Sequence, residues 1–125
     1  MEILPMKDSA PGELTTVRSE SGEWLAVWMG DRDAKAGCAY QVELEIDEVE
    51  EWIDDDGLES FNGIKKFNGS TMVCGMVSAS YDDGVIALDL NPGSVMVESD
   101  SAPRIQLGKH VCMIPASIAI YPTDT

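Results

Sequence analysis

The sequence predicts a mainly β protein, a small antiparallel barrel or sandwich with OB-like closure among the options and one short helix around residues 48–56. Three observations predict it. Tyr40, Val42, Leu44 and Ile46 alternate with Gln41, Glu43, Glu45 and Asp47, the period-two signature of a strand with one face buried and one in water. From Thr71 onward, short apolar alternations are broken by turn dipeptides, a spacing that favours antiparallel meanders over a parallel α/β design. The chain has 125 residues, one ordinary domain able to bury roughly two thirds of its unfolded surface, so a single unit over 1–125 is expected.

Taken in order, the lead-in is punctuated by Pro5, Pro11 and Gly12 and reads as loosely structured. Trp24–Met29 is the first strand, closed by Gly30-Asp31, and residues 40–47 are the second. Phe61-Asn62-Gly63 and Phe67-Asn68-Gly69 form a near-repeat read as two turns, with Lys65 and Lys66 placed to fold back toward the preceding acids. Thr71–Tyr81 runs into the turn Asp82-Asp83-Gly84, and Val85–Leu90 leaves it. Asn91-Pro92-Gly93-Ser94 is the next turn, followed by Val95–Glu98 and a loop through Asp100 and Pro103. Ile105–Leu107, Val111–Ile114 and Ser117–Tyr121 complete the strands, and Pro122 ends the last. Most of the seven methionines are expected as core filler.

The helix is expected in the most acidic part of the chain. "EIDEVEEWIDDDG", residues 45–57, has eight carboxylates in thirteen positions. Val49, Trp52 and Ile53 stand at i, i+3 and i+4, Asp47 and Glu50 have capping-box spacing, and Gly57 is a terminator. Asp54, Asp55 and Asp56 would then lie at the negative end of the helix dipole, where they destabilise it. Rules broken locally often mark function. One reading has Trp52 and Ile53 plugging the barrel end beneath a solvated charged face. The sharper one makes Glu50, Glu51, Trp52, Asp54, Asp55, Asp56 and Glu59 a recognition surface with the indole as anchor.

Charge bounds the partner. The net charge is −15, and residues 1–62 carry 17 acids against 4 bases while residues 63–125 carry 6 against 4. Such a field disfavours nucleic acid and anionic membranes and complements a basic protein. Met1–Lys7 lacks an apolar run of signal-peptide length and no later stretch reaches membrane-spanning length, so a soluble cytoplasmic protein is expected. Cys38, Cys74 and Cys112 are odd in number and widely spaced, which suits reduced thiols. Asn68-Gly69-Ser70 matches a glycosylation sequon but is read as a turn.

No cofactor fingerprint is present: the sequence has no P-loop, G-x-G-x-x-G, G-x-S-x-G or H-E-x-x-H. A calcium loop fails in register, since Gly57 at the sixth position puts Trp52 at the first and Gly63 at the twelfth, where acids are required. His110 is the only histidine and Cys112 lies two residues on, facing the same side of an expected strand; this is the one constellation that suggests a nucleophile.

"LGKHVCMIPASIAIYP", residues 107–122, resembles the closing two strands of OB-type small barrels, including those appended to transport ATPases, in which a Gly-led strand precedes a final strand ending in Pro. The resemblance implies barrel closure by the C-terminal strand. Appended barrels of that kind bind oxyanions, but no oxyanion-binding residues match here and the charge opposes an anion. The expected function is therefore a non-enzymatic acidic binding domain, most concretely an inhibitor or immunity-type protein that covers a basic toxin such as a nuclease by steering and occlusion. The alternatives are a small-ligand barrel or enzyme using Cys112 and His110, and an accessory subunit that pairs through an edge strand.

Overall fold

A computed structural model describes residues 1–53, 61–81, 84–90, 93–98 and 107–123. The described residues form eleven strands and no helix: β1 Glu2–Pro5, β2 Leu14–Ser19, β3 Gly22–Trp28, β4 Tyr40–Ile46, β5 Val49–Ile53, β6 Gly63–Phe67, β7 Ser70–Ser80, β8 Val85–Asp89, β9 Ser94–Glu98, β10 His110–Pro115 and β11 Ala119–Pro122. The lead-in is not loose, because it supplies β1 and β2.

Five strands close a barrel in the order β1-β2-β3-β11-β4, with β1 returning to pair with β4. Every pairing in the ring is antiparallel except β3 with β11. Counted within the ring, that is the Greek-key order of an OB-type barrel, with the last strand separated from the fourth by about half the chain. β11 closes the barrel, but β10, the other strand of the resemblance, lies in the second sheet between β7 and β5.

The intervening residues build a second sheet on the first. β9 pairs in parallel with β4, and β8, β7, β10 and β5 follow in order, with β6 added beside β7. β5 continues β4, and β11 continues β10. One antiparallel ladder therefore runs from Pro122 opposite Val42 to Cys112 opposite Ile53, bridged at its bend by the Ala116 N–H donating to Glu48 O. Ile46 and Val49 are both buried across this bend, as are Pro115 and Ile118 on the partner strand. Both strands thus change which alternate residues point inward, and one core serves both halves, from Ile3, Trp24 and Trp28 to Val73, Leu88 and Met113.

Residues 49–53 form a strand where a helix is expected, and a bulge is the reason. Glu51 lies opposite Ile114, yet Val49, two residues away, lies opposite Pro115, the next residue of β10; Glu50 is the extra residue. An inserted residue resets strand alternation. Val49 and Trp52, three apart, can then both pack against the core, while Ile53 joins an outer cluster with Met72, Cys74, Cys112 and Phe61. The bulge imitates the spacing of a helix face. Asp54–Asp56 and Glu59 lie outside the described residues.

The near-repeat at 61–69 contains one hairpin rather than two turns. Asn68 and Gly69 have φ of 49° and 81° and join β6 to β7, the combination a two-residue type I′ hairpin needs. Met72 and Met113 are core, but Met6, Met29, Met76 and Met96 are exposed, so filler is the minority role.

Candidate functional site

The exposed face of the β4–β5 ribbon is built by alternation and by the bulge. On β4, Val42, Leu44 and Ile46 point inward and send Glu43, Glu45 and Asp47 out. Asp47 and Glu48 at the bend are both exposed, and the bulge turns Glu50 out beside Glu51. Six carboxylates thus follow one another along a paired ribbon, and none has an ion-pair partner among the described residues. The exposed residues across the ladders do not neutralise them, since Ala119 and Met96 flank Glu45 and Tyr121 faces Glu43. Like charges held this close repel one another and project a negative potential into solvent.

Tyr121 reports that field. Its phenol is held above the ordinary value of 10.0, first by partial burial, then by the Glu45 carboxylate as both charge and hydrogen-bond acceptor, and last by Asp47. Each cause disfavours a phenolate.

Of the residues singled out from sequence, Glu50 and Glu51 are exposed on the ribbon, and Trp52 is half-buried, packed against the core and directly opposite Met113. Its Nε1 is buried without a hydrogen-bond partner among the described residues. Trp52 therefore supports the strand more than it offers an exposed anchor. Glu43, Glu45, Asp47 and Glu48 belong to the same surface, and sequence reasoning left them out. The strand alternation at 40–47 already put Glu43, Glu45 and Asp47 on the water face; what it could not supply was that β5 continues β4 and prolongs the row.

The thiols are not all reduced. Cys74 and Cys112 face each other across β7 and β10 and form a disulfide, with Cα atoms 4.1 Å apart, while Cys38 is free and exposed. Odd number and wide spacing hid this pair, because only strand register makes them neighbours. His110 and Cys112 lie on one strand as expected, but each is engaged. The sulfur is bonded to Cys74 and the His110 Nε2–H donates to the Phe61 carbonyl at 2.6 Å, so no free thiolate faces the imidazole. Lys65 stands 4.3 Å from the centre of the Phe61 ring, a cation–π contact.

No cluster of metal-ligating side chains occurs among the described residues, and they contain no helix long and apolar enough to cross a membrane. No protein-family model, curated protein or solved structure matches the chain.

Proposed function

We propose that the protein is a binding domain, not an enzyme, that captures a basic protein through the carboxylates of the β4–β5 ribbon. The observation that carries this reading is the unbroken row from Glu43 to Glu51, exposed and without ion-pair partners among the described residues. Surface carboxylates compensated by neighbouring lysines would do little at long range; an uncompensated row steers a cation and then holds it. Fixing the row on paired strands lowers the entropy lost on docking. An inhibitor that covers the cationic active site of a toxin, such as a nuclease, is the most concrete version. Asp54, Asp55, Asp56 and Glu59 follow the ribbon in sequence and belong to the same proposed partner-binding set.

We place its action in the cytoplasm. Disulfides are rare there, but Cys74 and Cys112 are 0% and 4% exposed, and exchange requires an attacking thiolate to reach the sulfur. Trapping free thiols in cells before lysis, then mass spectrometry, should find Cys38 alkylated and the other two bonded.

The functional test is charge reversal. The double variants Glu43→Lys/Glu45→Lys and Glu50→Lys/Glu51→Lys should each slow association with a basic protein partner by roughly tenfold or more at low salt, and high salt should have the same effect on the unmodified protein. Association that is indifferent to both substitutions and to salt would sink the reading.

A further inference from the structure

Beside the bulge the outer surface is hollowed into a groove of about 220 Å³, lined by Leu14 and Leu25 of the β2–β3 ladder, Ile114 and Pro115 of β10, Ile118 at the bend, and Glu50. The rest of the described lining is small or hydroxyl-bearing, so Glu50 is its only charged residue among the described residues. Leu14 and Leu25 are 53% and 42% exposed, and they stand diagonally across the ladder, Leu14 opposite Val27 and Leu25 opposite Thr16. Large aliphatic side chains left in water around a concavity mark an interaction site. A dry cavity of about 150 Å³ is enough for benzene, so this one holds about one large apolar side chain. The bulge that turns Glu50 into the groove leaves Glu51 exposed beside it.

We propose that the groove seats the apolar anchor of a cationic segment of the partner: a large aliphatic or aromatic side chain between Leu14 and Leu25, with an adjoining lysine or arginine on Glu50 and Glu51. This rests on the basic-partner reading above and states where the partner's chain is gripped. Charge complementarity selects the occupant. A second copy of this chain would bring another −15 to the same place, whereas a basic segment neutralises the rim.

Fluorescence anisotropy with two labelled peptides, Arg-Lys-Leu-Lys-Arg and its counterpart with Ala for Leu, tests this. The leucine peptide should bind roughly tenfold tighter, the value of one buried aliphatic contact. Leu14→Ala/Leu25→Ala should abolish that preference with an unchanged circular dichroism spectrum, as both side chains are exposed. Glu50→Lys should weaken both peptides. Equal affinity for the two peptides, a preference that survives the double alanine variant, or no binding of either peptide overturns the groove proposal. The basic-partner reading is judged separately, by the ribbon reversals at Glu43 and Glu45 measured against a whole basic protein. Sedimentation showing a dimer that Leu25→Ala dissociates would assign the groove to a second copy and likewise overturn the proposal.

Discussion

Gly30 shows how closely single residues are fitted. A Cβ added there would lie 2.8 Å from Cε2 and Cζ2 of the Trp28 indole. The ring has little room to retreat: Trp28 is 2% exposed, its Nε1–H donates to Arg32 O at 2.7 Å, and it meets Tyr40 edge-on at 4.9 Å between centroids. Gly30→Ala should therefore cost about 1–3 kcal/mol, the range for overpacking a filled core, read as a lowered urea midpoint. Gly30 was legible in sequence only as a turn residue, because its contact with Trp28 depends on the path of the following loop. Tyr121 supplies a second prediction. A phenol raised by the fold binds its proton more tightly folded than unfolded, so its contribution is complete below pH 10 and is lost as pH rises through the folded value. Glu45→Gln should lower the Tyr121 titration, followed by tyrosinate absorbance, and soften the alkaline loss of stability. Tyr121→Phe should remove that titration.

At the scale of elements, the β4–β5 and β10–β11 strands explain both what the sequence revealed and what it concealed. The alternation at residues 40–46 was legible because one face is buried without interruption. Residues 49–53 were misread because the Glu50 bulge places Val49 and Trp52 on one face at a helical spacing, and a periodicity of three residues does not distinguish a bulged strand from a helical turn. β1 and β2 were missed because their prolines and glycines look like loop punctuation, yet Pro5 ends β1 and Gly12, at φ 86°, lies between β1 and β2. The disulfide ties β7 to β10 across 38 residues of sequence. Closing a loop of that length in the unfolded chain is worth about 2–4 kcal/mol, so Cys74→Ser/Cys112→Ser, or denaturation under reductant, should lower the unfolding free energy by about that much.

For the whole molecule, −15 over 125 residues is a stability term as well as the basis of the proposed recognition. Folding gathers this net negative charge into a compact volume, whereas the unfolded chain spreads it out, so screening favours folding. Moderate sodium chloride should raise the melting temperature by a few degrees, and the variant Glu43→Gln/Glu45→Gln should narrow that salt effect. A protein that weakens its own fold with uncompensated charge, while burying Trp24, Trp28 and the rest of its core completely, is consistent with a surface kept for a cationic partner.

By itself the sequence determined the class of fold, the charge and its concentration in the first half, and the strands whose alternation is regular, since these depend on composition and on neighbours along the chain. Only the tertiary structure decided that Glu43 to Glu51 form one continuous row, that Cys74 meets Cys112, and that Leu14, Leu25 and Glu50 share a groove. Those relations are set by strand register and by a single inserted residue: the bulge prolongs a row that alternation only begins, and register brings together cysteines and groove residues tens of positions apart in the chain.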